Sequence, residues 1–310
     1  MKVIFLNGRF KLHLKKTCAA IGIFDGMHRG HQYLIQQMLT TARRLKAQPI
    51  VITFFPHPAH VLRPDVKLGY LSSLEDRLAL LNDWGVAVCL VVRFNFSFAH
   101  IEPQKFIKDI LVKKLGVKAV FVGEDFRFGK DRSGDIALFQ KLSVLYGYEM
   151  HAVSQLKQGR ETISSTRIRQ LVREGQLNQA AHLLGRAVSV SGAVIKGSAR
   201  GRSLGYPTAN VAYEADILPP QGVYVVRVLF GKKSYPAIAN IGTRPSFEKQ
   251  NSKLYLEIHI LDFSKNIYGQ RMQVEFLKKI RNEKKFSSPQ SLIRQIQKDE
   301  SLARKYFRTR

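Results

Sequence analysis

The sequence predicts an α/β plus β protein of two domains: a doubly wound parallel sheet first, then an antiparallel β-barrel or sheet with a terminal helix. Three observations carry this. Over residues 1–150, short β-rich apolar runs alternate with helix-length periodic segments, the pattern of a parallel sheet covered by helices. Beyond residue 187 the texture changes to closely spaced β-like runs punctuated by Gly and Pro. The 310 residues, 45% of them hydrophobic, hold enough apolar material for two cores.

The opening apolar block, residues 3–6, reads as a strand and is too short for a secretory signal. Further strands are expected at 19–24, 50–55, 86–92, 117–122 and 148–153, each an apolar run between turn residues. Between them, 33–46, 73–84, 103–115 and 135–146 place apolar residues at helical spacing, with Pro103 as an early helical residue. Two short helices, 164–173 and 177–184, lead to strands at 187–195, 222–230, 235–241, 254–261 and 271–277 and to a helix over 289–307. The expected domains are therefore 1–184 and 185–310, without a Pro- or Ser-rich linker. No run approaches the roughly 20 apolar residues of a membrane span.

Cys18 and Cys89 each lie in an apolar run, which suits reduced core thiols and a cytoplasmic location rather than a disulfide framework. The net charge of +27 invites a nucleic-acid reading. Residues 1–182 hold 27 basic and 14 acidic side chains, and the remainder 23 and 9, so the charge is spread and not a basic arm. A solvated basic surface, a polyanion-binding face and a field that steers anionic substrates are all compatible with it.

The most informative run is Gly22-Ile23-Phe24-Asp25-Gly26-Met27-His28-Arg29-Gly30-His31, a strand end, a turn and a helix start. Backbone N–H groups at such a helix start favour anions. His28 and His31 share one helical face and can donate to phosphate oxygens, while Gly30 admits a nucleotide close to the backbone. His57 and His60 repeat the spacing, so a four-histidine metal site is a rival, opposed by Pro58, which works against a helix that would align the second pair. Asp125 and Arg127 follow the strand at 117–122, and Ser165, Thr166 and Arg169 open a helix with hydroxyls and a guanidinium. Ser-Ser-Thr before a helix also serves as an ordinary N-cap.

Together the Gly-x-Phe-Asp-Gly-x-His-x-Gly-His and Ile-Ser-Ser-Thr-x-x-Arg runs resemble the HxGH-type nucleotidylyltransferases. With Phe55-Pro56-His57-Pro58 and residues 123–129 added, the chain resembles the bacterial bifunctional riboflavin kinase/FAD synthetase family over essentially its whole length. The resemblance implies that the N-terminal domain transfers AMP from ATP to FMN, giving FAD and pyrophosphate. It puts His28 and His31 in the catalytic positions and Gly22, Phe24, Asp25, Gly30, Ser165, Thr166 and Arg169 in the ATP-handling segments, with His57, Asp125 and Arg127 on loops that shape the site. Ile23 stands where many members have Asn, a change expected to touch packing more than chemistry.

In the second domain, residues 197–210 form a Gly-bearing loop that is not a Walker A loop, and such a turn is commonly just a hairpin connection. Thr208 and Asn210, two apart, face one side of an extended strand and suit a Mg²⁺–phosphate cluster. The resemblance makes this loop the flavokinase signature, with Gly197, Gly201, Arg202, Gly205 and Pro207 at the nucleotide and Thr208 and Asn210 on Mg²⁺; Ala199 departs from a common Gly. Glu257 alternates with Leu256 and Ile258, so it lies on the opposite strand face; the resemblance makes it the base that takes the ribityl hydroxyl proton. The expected activities are riboflavin phosphorylation to FMN, then adenylation to FAD, with ATP and Mg²⁺. The alternatives are a chain with one working module, or a basic nucleic-acid binder. No membrane and no specific nucleic-acid partner are expected, and a homo-oligomer is left open.

Overall fold

The computed structural model describes residues 1–6, 13–66, 68–159, 161–196, 205–231, 233–243 and 254–309. The chain divides into two compact units: Met1–Leu68 with Leu74–Ser165, and Gly69–Ser73 with Thr166–Arg310.

In the first unit, β1 (Lys2–Leu6) and β2 (Thr17–Ile21) lead through a 3₁₀ turn (Asp25–Met27) into α1 (Arg29–Arg44) and β3 (Gln48–Phe55). Next come α2 (Pro58–Leu62), α3 (Leu74–Asp83), β4 (Val88–Arg93), α4 (Phe96–Ala99) and α5 (Pro103–Lys105), which continues as a π-helix (Phe106–Lys114). Then β5 (Val117–Gly123), α6 (Ile136–Tyr146), β6 (Glu149–Val153) and the small hairpin β7 (Lys157–Gln158) and β8 (Glu161–Thr162) complete the series.

Six strands pair in parallel in the order β1-β4-β3-β2-β5-β6. Alternation along the buried strands divides the core in two. Cys18 and Ala20 join Leu34, Ile35 and Met38 of α1 on one face, and Ala19 and Ile21 join Ile107 and Leu111 of the π-helix and Phe139 of α6 on the other. From β2 the chain builds outward through β3 and β4, then returns to place β5 on the other side of β2. That reversal makes a crevice beyond the carboxyl ends of β2 and β5, where open α/β sheets take ligands.

Two expectations needed adjustment here. Pro58 does not prevent a helix: it is the first residue of α2, where its missing N–H costs nothing. The strand expected at 19–24 stops at Ile21, because Phe24 adopts a left-handed conformation (φ 54°, ψ 31°) that no strand continues through.

The second unit begins with α7 (Ser165–Arg173) and α8 (Leu177–Leu184), followed by β9 (Val188–Ile195), β10 (Ala209–Tyr213), β11 (Gly222–Phe230), β12 (Lys233–Thr243), β13 (Leu254–Ile260), β14 (Arg271–Arg281) and α9 (Pro289–Arg308). The strands close into a barrel in the order β10-β13-β12-β11-β14-β9. Gly192 of β9 makes closure possible where it crosses β10, since a Cβ there would collide with the Ala212 backbone. By packing, α7 and α8 group with the barrel, so the compact units part at Ser165/Thr166, ahead of the 184/185 boundary read from the sequence.

The helix α9 is anchored on the barrel by a buried ion pair. Asp299, 2% exposed, accepts from Arg281 Nε (2.9 Å) and Nη2 (2.8 Å) and from Gln295 Nε2 (2.9 Å). Ser288 caps the helix reciprocally with Ser291, and Pro289 takes the first helical position.

Candidate active sites

The first site grows from the end of β2. The Gly22 N–H still bonds the Ile52 carbonyl (3.1 Å), then the chain turns sharply through Phe24 (φ 54°), Gly26 (φ 74°) and Met27 (φ 45°). Two non-Gly residues at positive φ in so short a turn are strained by about 1–3 kcal/mol each, and persist only where surroundings over-determine them. Phe24 and Met27 are both buried in the core, and Asp25 is 2% exposed. Its carbonyl accepts from Ser165 Oγ at the start of α7 (2.9 Å), and the Met27 carbonyl from Gln32 Nε2 (3.1 Å).

This turn delivers His28 as the N-cap of α1, its Nδ1 accepting from the His31 N–H (3.3 Å). The neutral tautomer this demands carries its proton on Nε2, a donor suited to a phosphate oxygen. The two imidazoles stack, with centroids 3.6 Å apart and planes 19° from parallel, and Phe24 meets His31 edge-on at 5.3 Å. A Cβ on Gly30 would lie 3.1 Å from His28 Cε1, so glycine there leaves room for the ring.

His57 and His60 do other work. His57 Nδ1 caps α2 by accepting from the Ala59 N–H (3.0 Å), and His60 Nε2 donates to the Leu68 carbonyl (2.5 Å). Among the described residues no group of three or more His, Cys, Asp or Glu side chains is arranged to hold a metal ion. Beyond β5, Phe126 and Phe128 turn into the core and meet Phe139, leaving Asp125 and Arg127 exposed at the ligand end of the sheet. On α7, Thr166 is exposed and Arg169 buried, its Nε donating to the Gly69 carbonyl (2.7 Å). Ile23 packs against the larger core cluster.

The second site lies on the barrel wall. Gly197, Ala199, Gly201 and Arg202 fall outside the described residues. Gly205 has φ 81°, a left-handed position that suits glycine. The Pro207 carbonyl accepts from His259 Nδ1 (2.9 Å), which fixes the approach to Thr208, immediately before β10. Cross-strand register sets Asn210 opposite Glu257, and Glu257 opposite Asn240, so the three stand side by side on one face. Leu256 and Ile258 are buried on the other face, as the alternation predicts.

Sequence reading missed this row's extension. Asn240 Nδ2 donates to Tyr255 Oη (3.1 Å), and Tyr255 donates to Glu283 Oε1 (3.3 Å). Burial, with Glu283 and Glu257 adding to it, pushes the Tyr255 phenol up to about 12. Tyr255, two residues before Glu257 on β13, shares its face by strand alternation; cross-strand register relates Asn240 to Glu257, and Glu283 joins only through the Tyr255 bond, which sequence spacing does not signal.

The comparisons agree with this division of labour. The FAD synthetase family model matches residues 11–167, and the riboflavin kinase model residues 184–307. The chain is 42% identical to the bifunctional riboflavin kinase/FMN adenylyltransferase of Escherichia coli (strain K12), over 93% of this chain and 91% of that protein. It is 37% identical to the protein of the same name from Buchnera aphidicola subsp. Schizaphis graminum (strain Sg), over 99% of each. A crystal structure from Streptococcus pneumoniae, described as a macrolide-efflux protein, shares the fold with a TM-score of 0.86 at 31% identity, over 98% of this chain and 99% of that one. Among the described residues no helix is long and apolar enough to cross a membrane. With a strained turn at the sheet's switch point, a polar row on a closed barrel and relatives matching both from end to end, this chain belongs to the bifunctional riboflavin kinase/FMN adenylyltransferase family.

Proposed function

We infer that this chain makes FAD in two ATP-dependent steps, phosphorylating riboflavin to FMN on the barrel and adenylating FMN on the sheet domain. The observation that carries the reading is the match of both family models, in series, on a chain whose relatives align over nearly their full length. The functional modules we assign are residues 1–184 and 185–310.

In the kinase step the ribityl hydroxyl of riboflavin is a neutral nucleophile. We assign Glu257 to accept its proton as the oxygen bonds the γ-phosphorus and the bond to the β-phosphate oxygen breaks, releasing ADP. The Thr208 hydroxyl and Asn210 amide are hard oxygen donors that suit Mg²⁺ with ATP phosphates, and that ion would neutralise phosphate charge; Gly205 and Pro207 shape the loop leading to them. In the adenylyl step a phosphate oxygen of FMN is already anionic and attacks the α-phosphorus of ATP, expelling pyrophosphate, so placement and charge stabilisation dominate. His28 and His31 donate to the phosphates, and Gly22, Phe24, Asp25 and Gly30 shape the turn that presents them. Ser165, Thr166 and Arg169 bind the nucleotide, and His57, Asp125 and Arg127 frame the crevice. A reducing compartment such as the cytoplasm suits Cys18 and Cys89, both buried and unbridged.

Incubation with riboflavin, ATP and Mg²⁺, with flavins separated over time, should give FMN followed by FAD. Glu257→Gln should slow FMN formation by about 10²- to 10⁴-fold while leaving adenylation of supplied FMN intact. Absence of product from either flavin would refute the enzymatic reading, and an undiminished kinase rate in the variant would remove Glu257 as base.

A further inference from the structure

Arg77 is a charged side chain that none of the motifs uses, yet it is 1% exposed and ranks among the largest fully buried groups of the molecule. It sits on α3, whose sequence, Leu-Glu-Asp-Arg-Leu-Ala-Leu-Leu, reads as an ordinary amphipathic helix. Burying a guanidinium is costly unless its donors are engaged, and charged side chains are seldom wholly enclosed. The partners of Arg77 therefore indicate what it is for.

Its Nη1 donates to the Ile23 carbonyl (3.0 Å), and the same oxygen accepts from Thr53 Oγ1 of β3 (3.0 Å). Ile23 is the last residue before the strained turn, since Phe24 and Met27 follow at φ 54° and 45° and His28 comes next. The guanidinium carbon also lies 6.0 Å from the ring centroid of Phe55, the last residue of β3. One buried cation thus grips the segments leaving both β2 and β3, and does so at the carbonyl from which the histidine turn departs. A helix–strand packing role alone would be served by an apolar residue at lower desolvation cost.

We propose that Arg77 is a positioning residue of the adenylyl-transfer reaction: by holding the Ile23 carbonyl it keeps the Phe24–Met27 turn strained, and so sets His28 and His31 at the nucleotide phosphates. This rests on the adenylyltransferase reading above. Arg77 acts through the histidines and touches no reacting atom. Lysine in its place restores the charge and one donor but not the planar guanidinium that lies over the Phe55 ring.

The test uses the full-length chain, with Arg77→Met, Arg77→Lys, His28→Ala and the double variant Arg77→Met/His28→Ala. FMN adenylation is measured as kcat and KM for ATP per folded molecule, the folded fraction being read from thermal unfolding. Riboflavin phosphorylation by the same molecules reports the other module. Displacing reacting groups by about 1 Å costs roughly 100-fold. Arg77→Met should therefore lose about that factor in kcat, with KM for ATP changed by less than about 3-fold and kinase activity unaltered, while Arg77→Lys recovers part of the loss. Because Arg77 works through His28 and His31, the loss in the double variant should fall well short of the product of the two single losses.

Losses that multiply in the double variant would overturn the proposal, as would a normal kcat per folded molecule in Arg77→Met. If the unaltered chain makes FMN but no FAD, the adenylyltransferase reading itself fails and the proposal falls with it. A chain that makes FAD while Arg77→Met does so equally well removes Arg77 alone.

Discussion

Gly30→Ala separates what this helix start contributes to stability from what it contributes to catalysis. Gly30 is the second residue of α1, and alanine is the better helix former by up to about 1 kcal/mol, less so in a first turn. By propensity alone the variant would gain stability. Its new Cβ would, however, stand 3.1 Å from Cε1 and 3.2 Å from Nδ1 of His28, inside the ordinary carbon contact of about 3.5–4.0 Å. The ring must yield by several tenths of an ångström, and the His31 N–H to His28 Nδ1 bond, already 3.3 Å, has little length to spare before it ceases to count as one. Loss of that bond costs about 1 kcal/mol and frees the ring to rotate. FMN adenylation should fall on the order of 10- to 100-fold while Tm changes by only a few degrees, the helix gain and the lost bond nearly offsetting. The assay is FAD formation from supplied FMN and ATP, run beside a thermal melt and a riboflavin phosphorylation control. Full adenylation in a folded variant would refute the claim that ring placement at His28 limits this reaction.

Two further outcomes follow from the ion pair on α9 and from buried acids. Asp299→Ala removes every bond that Arg281 directs at this carboxylate and leaves a guanidinium 14% exposed beside an apolar helix interface, so urea unfolding should show a loss of about 2–4 kcal/mol, moderated by the remaining contact of Arg281 with the Phe286 ring. A loss below about 0.5 kcal/mol would mean that the pair is not what anchors the helix. Burial pushes Cys18 up to about 11 and Cys89, Tyr224 and Tyr255 up to about 12, from 9.0 for the thiols and 10.0 for the phenols. The folded state therefore keeps protons that the unfolded state releases, and the associated stability is whole below pH 9 and declines as pH rises toward these folded values. Melting temperature should drop progressively between pH 9 and 11, less so in Cys89→Ala; a flat profile would contradict the buried placement of these groups.

Much of this molecule is legible in its sequence because local and tertiary demands agree. The alternation of Leu256, Glu257 and Ile258 already separates the barrel's apolar face from its polar one, and the helical spacing over 135–146 corresponds to α6, which Asp135 caps through the Leu138 N–H. The illegible parts are those decided at a distance. Arg77 reads as a solvent residue of α3 until the neighbouring strand ends enclose it. Asn240 meets Tyr255 through β12–β13 register and Glu283 meets it through the path of the chain beyond β14, and sequence spacing specifies neither. The short helices α2 and α4, five and four residues long, carry too little periodicity to be seen, although His57 and Asn95 cap them. The continuation of α5 into a π-helix replaces a regular helix over 103–115 with a wider turn, and no residue type there marks the change.

Closure of the barrel bears on how the protein is made. The six-stranded sheet has all its strands by Val153, and β1, the first of the six to be made, waits for β4 before it can pair (Lys2 with Val88). The barrel waits far longer, because β14 is inserted between β11 and β9, and it is the last strand synthesised. Until residue 281 has emerged, β9 and β11 each present an unpaired edge, the kind of surface that recruits other strands. A ribosome that stops after residue 153 but before residue 271 therefore releases a chain whose sheet strands are all present but whose barrel is an open, aggregation-prone ribbon, so truncation there bears first on phosphorylation and only then on adenylation.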